Sequence, residues 1–259
     1  MKKMLVILSG GQDSTTCLYM MKVLGYEIHA VTFDYGQRHW VEIEAARTVS
    51  KLAEVATWEL IKLDGLLFGD SPLTSDNKLD TYENFDALAT GIEKTFVPLR
   101  NQLFLTVAAN RAYVLKCDAM VIGVSEADYG GYPDCRDSFI RAIESTMNHG
   151  YFTGEEGTRP KMKIKRPLMN LSKKETVEFA VNLPGCYKAL AYSHTSYSGE
   201  YPPVQKDHAT LLRARGFQEA GVPDPIYLRA FKEGLISQLP DEPNYDSAIL
   251  QKYFDLIEG

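Results

Sequence analysis

The chain has no apolar run close to the roughly 18 residues that a membrane-spanning helix needs, which excludes an ordinary transmembrane anchor. Its N-terminus, MKKMLVILSGG, pairs basic with apolar residues as a leader would, but the apolar run ends after about five residues at Ser9-Gly10-Gly11. The segment reads as a first β-strand, and a cytoplasmic protein is expected. Cysteine is scarce and dispersed: Cys17, Cys117, Cys135 and Cys186 form no close pairs, so neither a disulfide framework nor a four-thiolate zinc site is indicated. Positive charge is not in excess either. With 28 Lys and Arg against 34 Asp and Glu, the formal net charge of -6 disfavours direct binding to tRNA or duplex DNA, although a local basic groove stays open. A nucleotide-sized ligand fits this balance better. There is no internal repeat and no low-complexity tract.

What is present is an alternation of short apolar runs and helical periodicities across 259 residues. Met4 to Leu8 reads as a strand, Asp13 to Leu24 as a helix stopped by Gly25, and Ile28 to Phe33 as a second strand. Val41 to Leu52 has helical spacing and Trp58 to Ile61 reads as a third strand. The span from Leu63 to Thr95 is loop-like. Asn101 to Leu115 reads as a largely buried helix, Ala119 to Val124 as a buried strand ending near Gly123, and Ser138 to Asn148 as a helix. Tyr151 to Lys165 is polar and reads as a mobile loop, and Ser172 to Glu175 forms a capping box that opens another helix. Beyond it, Pro184 to Pro203 is irregular, Leu211 to Ala220 has helical spacing, and the Pro-rich stretch Val222 to Asn244 reads as a tail packed on the body. The expectation is an α/β fold, a doubly wound parallel sheet over residues 1–183, with an irregular and helical C-terminal region over 184–259.

Between the first strand and helix lies Leu8-Ser9-Gly10-Gly11-Gln12-Asp13-Ser14-Thr15. A turn without side-chain bulk exposes backbone N–H groups at a helix N-terminus, where the dipole also favours an anion, so a phosphate is the expected ligand. The loop has neither the lysine of a Walker motif nor the three spaced glycines of a dinucleotide fingerprint. The plainer reading is an ordinary turn with an Asp N-cap. Ser-Gly-Gly-x-Asp-Ser, however, resembles the PP-loop of the N-type ATP pyrophosphatases. That resemblance implies ATP held by its β- and γ-phosphates, cleavage between α and β, and Asp13 acting through Mg²⁺ or holding the loop.

Further segments make the resemblance narrower. Ser9 to Cys17 is followed by Phe33-Asp34-Tyr35-Gly36-Gln37-Arg38-His39, Phe96-Val97-Pro98-Leu99-Arg100-Asn101, Gly123-Val124 with Asp128 to Arg136, and Pro167-Leu168 with Ser172-Lys173-Lys174-Glu175. In this order the segments resemble the 7-cyano-7-deazaguanine synthase family of the queuosine and deazapurine pathway, up to about residue 220. The resemblance implies an ATP-dependent ligase that converts 7-carboxy-7-deazaguanine and ammonia to the nitrile through an adenylated intermediate, with no membrane and no nucleic acid as direct partner. A homodimer is compatible with it. On this reading Asp13, Arg38, Arg100 and Lys173 are the catalytic candidates. Leu8, Ser9, Gly10, Gly11, Asp13, Ser14, Thr15, Phe33 and Tyr35 would hold ATP, and His39, Asn101, Asp128, Tyr132, Asp134 and Arg136 the substrate. Each has a plainer alternative: Arg38 and His39 as solvated helix-start residues, Arg100 and Asn101 as a helix cap, the tyrosines of 128–136 as packing, and Lys173 as a solvated lysine. Cys17 and Cys135 read as packing residues, since the reaction needs no thiolate.

The family carries a structural zinc bound by four cysteines. Alignment on Thr195, Tyr197, Gly199 and Arg213 places those positions at Ser196, Val204, Asp207 and Thr210, so no zinc is expected, and the segment is expected to be held by the tyrosines and prolines of 192–203 with Asp207 contributing little. A set of His194, Asp207 and His208 is the alternative metal reading. Other functions stay open: an enzyme that stops at the amide or joins the activated acid to another amine, a PP-loop ligase acting on tRNA, which the acidic balance disfavours, and a non-catalytic nucleotide-binding module.

Overall fold

A computed structural model describes residues 1–37, 40–69, 80–85, 92–126, 132–151, 161–204 and 206–258. Five parallel strands, β1 (Lys3–Ile7), β2 (Glu27–Asp34), β3 (Thr57–Lys62), β4 (Ala119–Val121) and β5 (Ile164–Lys165), form one sheet in the order β3-β2-β1-β4-β5. The order reverses at β1. Strands on either side of it are reached by crossovers in opposite directions, so a crevice opens at the carboxyl end of β1, the place where ligands enter open α/β sheets.

Alternation along β1 explains why both faces are covered. Met4, Val6 and Leu8 point into one core with α1 (Gln12–Val23), α2 (Val41–Leu52) and α5 (Lys173–Val181). Leu5 and Ile7 point into the other with α3 (Arg100–Val114) and α4 (Asp137–Tyr151). A strand buried on both faces must be continuously apolar, as Met4 to Leu8 is. Among the described residues no helix is long and apolar enough to cross a membrane.

The doubly wound sheet agrees with expectation, and the C-terminal region is more ordered than its sequence suggested. α6 (Cys186–Leu190), α7 (His208–Glu219), α8 (Pro225–Lys232) and α9 (Ser247–Glu258) follow; α6 lies in the stretch that reads as irregular, α8 in the one that reads as a tail, and α9 beyond both. Asp224 caps α8 by accepting from the Ile226 N–H, and Pro225 occupies its first turn, a local signal that the surrounding prolines obscured. α6 is a helix of five residues whose burial in the core, not its periodicity, sustains it. Cys186, Tyr187, Leu190, Leu228, Tyr253 and Ile257 share one apolar cluster with Cys17 and Leu18 of α1, so the C-terminal helices complete the core on that face of the sheet. β5 also lies inside a stretch read as loop; with two residues it is too short to show a period. The expected mobility of 151–165 falls mostly on 152–160, outside the described residues.

One buried pair ties this region together. Arg213 on α7 donates to both carboxylate oxygens of Asp224 at 2.6 and 2.8 Å, to the Leu190 carbonyl, and to the hydroxyls of Ser193 and Thr195. Both side chains are almost fully shielded, at 3% and 4% exposure, so each charge depends on the other. Arg213→Met leaves Asp224 charged and buried. Chemical denaturation should then show a loss of about 3–5 kcal/mol, the usual cost of breaking such a pair from one side.

Candidate active site

The crevice at the end of β1 is a cavity of about 330 Å³. Its floor is the loop between β1 and α1. Gly10 adopts φ +89°, and a Cβ there would lie 2.3 Å from the Glu42 carbonyl and 2.8 Å from the Ala46 nitrogen. Gly123, just past β4, approaches Asp13 and Ser14 so closely that a Cβ would sit 2.8 Å from their backbone. Both positions exclude any other residue, and the closeness brings α2 and β4 against the loop. The Ser9 and Ser14 hydroxyls lie 3.0 Å apart, and the Ser9 N–H donates to Ser14 Oγ, which fixes the turn. α1 begins without a side-chain cap. Its first N–H groups therefore face the cavity available to an anion.

Around this floor the structure brings together most of the residues picked out from the sequence. Leu8, Ser9, Gly11, Asp13, Ser14, Phe33, Tyr35, Arg100, Asn101, Tyr132, Arg136 and Lys173 all line the cavity. Gly10 and Thr15 do not: they shape the loop from behind, with Thr15 fully buried. Asp134 is also set back. It accepts from the Asn101 backbone N–H at 3.3 Å and so orients Asn101. Arg38, His39 and Asp128 lie outside the described residues.

Lys173, at the start of α5, donates to Asp13 Oδ2 at 2.7 Å, and both side chains are largely shielded from solvent. It is not a solvated lysine; Lys174, half exposed beside Glu178, is. The other Asp13 carboxylate oxygen is buried and has no partner. Arg100 opens α3 after Leu99, which takes φ +61°, a strained conformation for leucine that aims the next side chain across the cavity. Its guanidinium lies over the Tyr35 ring, and its Nε is buried without a partner. Phe33 stacks on Phe104 at 4.3 Å, with Tyr35 tilted beside them, which gives an aromatic wall. Tyr132 stacks on Phe96 and shares a 2.6 Å hydrogen bond with Thr95.

Burial governs the acid–base character here. Desolvation pushes Tyr35 up to about 12 and Tyr132 and Tyr197 upward as well, so none of the three is ionised at neutral pH. Cys135 is likewise pushed up to about 12, first by burial and then by Asp134, which leaves a thiol rather than a thiolate.

Several lining residues were not assigned to the site from the sequence: Gln12, Glu42 and Glu126, Thr195 and Tyr197, which had served only to align the zinc positions, and His194 and His208, which had been read only as an alternative metal set. Gln12 lay inside the motif but in its variable position; it is 3% exposed with neither end of its amide partnered, a group oriented for a ligand. His194, Thr195, Tyr197 and His208 come from the C-terminal region, and the His194 N–H donates to the Gly10 carbonyl at 2.9 Å, docking that region on the loop. No local pattern announces such a contact across 184 residues of chain.

The positions of the family's zinc cysteines do not fit the metal. Asp207 accepts from the Ser196 hydroxyl at 2.9 Å, the Tyr197 N–H at 2.8 Å and the Thr210 N–H at 2.8 Å, and the last of these caps α7. Three of the four positions thus join through oxygen and nitrogen hydrogen bonds, while Val204 is exposed. His194 Nε2 is bonded to the Ser196 carbonyl, and among the described residues no three of His, Cys, Asp and Glu are grouped to hold a metal. The aromatic residues contribute by a clamp rather than by the burial expected of them: Tyr192 and Tyr201, both only partly buried, each lie 4.3 Å from the Arg229 guanidinium. The small role expected for Asp207 is overturned, because its carboxylate, 1% exposed, satisfies three donors at once.

With this geometry in view, comparison with known proteins decides the family. The family model described as queuosine biosynthesis protein QueC matches residues 3–221. The chain belongs to the QueC family. Members named 7-cyano-7-deazaguanine synthase include one from Gloeobacter violaceus, 48% identical over 88% of this chain and 96% of its own length. Others come from Laribacter hongkongensis, 44% identical over 87% of this chain and 94% of its own, and Chromobacterium violaceum, 44% identical over 90% and 96%. A solved 4-thiouridine synthetase–RNA complex with bound ATP shares 17% identity at a TM-score of 0.46, covering 98% of this chain and 53% of that one, a likeness too distant to bear on function. The QueC match ends at 221, so α8 and α9 lie beyond it although they share its core.

Asp207→Ala should lower stability by roughly 3 kcal/mol, for the lost helix cap and the donors left unpaired. Thermal melting should show it as a drop of several degrees, with Val204→Ala, exposed, as the neutral control.

Proposed function

We propose that this QueC-family chain is an ATP-dependent ligase that adenylates 7-carboxy-7-deazaguanine and converts it with ammonia to 7-cyano-7-deazaguanine. The observation that carries the reading is the cavity itself, where a bare helix N-terminus, a shielded Asp13–Lys173 pair and Arg100 converge opposite an aromatic wall. A carboxylate is a poor acyl donor because oxide would have to leave; transfer of AMP to it supplies a good leaving group. Charge grows on the α-phosphate during that transfer, and Lys173 and Arg100 are the cations placed to stabilise it. The unpartnered Asp13 oxygen suits the Mg²⁺ that accompanies ATP, whose role is to neutralise phosphate charge. The loop N–H groups take the phosphates, Phe33 and Tyr35 offer a face to a ring, and Asn101, Tyr132, Arg136 and Gln12 surround the second reactant. These supports favour catalysis over a passive nucleotide-binding module, which would not require a largely shielded ion pair at the phosphate loop.

The purified protein, given 7-carboxy-7-deazaguanine, ATP, Mg²⁺ and ammonium, should release AMP and pyrophosphate and yield the nitrile by mass spectrometry. ADP and phosphate as the only nucleotide products would overturn adenylation, and an amide as the end product would favour the shorter reaction. Asp13→Ala should fold yet lose at least about 10²-fold in turnover, the order observed when one preorganised charge-stabilising group is removed.

A further inference from the structure

The proposed reaction, on which this inference rests, needs more than phosphate chemistry. At neutral pH ammonia is mostly ammonium, which has no lone pair and cannot attack an acyl adenylate. A base must take a proton from it inside the cavity. The other described carboxylates at or just behind the cavity are committed: Asp13 to Lys173, Glu126 to the Asp137 N–H, and Asp134, set back, to Asn101. His194 Nε2 is bonded to the Ser196 carbonyl, and His208 Nε2 lies 3.9 Å from Glu93. Glu42 differs. It lines the cavity from the first turn of α2, its backbone carbonyl presses on Gly10 of the phosphate loop, and its carboxylate makes no hydrogen bond or ion pair among the described residues.

We infer that Glu42 is the proton acceptor for the amine: its carboxylate binds ammonium, removes one proton, and delivers ammonia to the activated acyl carbon beside the phosphate loop. The nitrogen lone pair then forms the C–N bond, the bond to the phosphate oxygen breaks, AMP leaves with that electron pair, and the nitrogen's second surplus proton passes to water. No oxidant or further reactant is needed. An anionic carboxylate in this position also attracts the cation from solvent.

The surroundings tune the group to this task. Desolvation raises the Glu42 carboxyl to about 7, opposed by Arg100 on α3 and reinforced by Asp207 at the start of α7; Tyr35 after β2 and Tyr197 also face it, both neutral. A base of that strength is half deprotonated at neutrality and strong enough to take a proton, as general-base catalysis favours. Protonated Glu42 cannot accept, so amination should rise with pH through about 7.

The test separates two half-reactions of the full-length enzyme. Exchange of labelled pyrophosphate into ATP, dependent on 7-carboxy-7-deazaguanine and run without ammonium, reads adenylation; product formation with ammonium reads amination. In Glu42→Gln, exchange should stay within about twofold of the parent enzyme, while amination at pH 7 falls by roughly 10²-fold, the order general-base catalysis contributes, and recovers as pH rises and free ammonia increases. The parent's levelling-off above about pH 7 should vanish, replaced in the variant by a rise that follows free ammonia. Equal loss of exchange and amination, unchanged amination, or a raised KM for the acid with an unaltered pH profile would each overturn the assignment. Absence of exchange in the parent enzyme would instead overturn the ligase reading on which it rests.

Discussion

The close approach of backbone to backbone at the start of α1 is the constraint on which this structure depends. Gly10 lies against the Glu42 carbonyl, Gly123 against Asp13 and Ser14, and the Gly10 carbonyl receives the His194 N–H. A single methyl group at Gly10 or Gly123 would displace one of these segments, since backbone has no rotamer with which to yield. Because they meet there, the end of β1, the first turn of α2, the end of β4 and the C-terminal region all contribute to one cavity. The positive end of α1 is kept open at its centre, where a triphosphate can neutralise it.

Charge within the cavity is arranged by pairing. Asp13 beside a triphosphate would repel it, and Lys173, 160 residues further along, removes that objection at 2.7 Å. Arg100 has no such carboxylate within ion-pair distance among the described residues and faces aromatic rings, so its charge stays available for a ligand. Glu42 has no hydrogen-bond or ion-pair partner among the described residues, which leaves its carboxylate open to a cation. One acid has been neutralised and another left basic by position alone.

The C-terminal region shows how a fold can keep its shape after its ligand atoms have changed. Where relatives are expected to hold zinc through thiolates, Asp207 gathers the Ser196, Tyr197 and Thr210 donors, Tyr192 and Tyr201 enclose Arg229, and Arg213 pairs with Asp224. Each contact is modest in water, but Asp207 and the Arg213–Asp224 pair are buried, where an unmade hydrogen bond is costly. The same segment carries His194 and Tyr197 into the cavity, so what holds it also completes the site.

The sequence alone determined the parallel sheet, the glycine loop and part of the cavity's lining, because those rest on local signals: apolar alternation, glycines after a strand, and motifs whose residues reach the site from strand ends. Arg100 and Asn101 were legible as polar residues opening an apolar helix, and Lys173 as part of a capped helix start. Only the tertiary structure decided the rest. That Lys173 pairs with Asp13, that Asp207 is a staple rather than a bystander, and that Glu42 lines the cavity without a partner among the described residues all depend on contacts between distant segments. α6, α8 and α9 are likewise held chiefly by the core they enter. Periodicity reports which face of an element is apolar; it carries no information on which element will cover that face, and burial, which sets the charge and basicity of each group, follows from that choice.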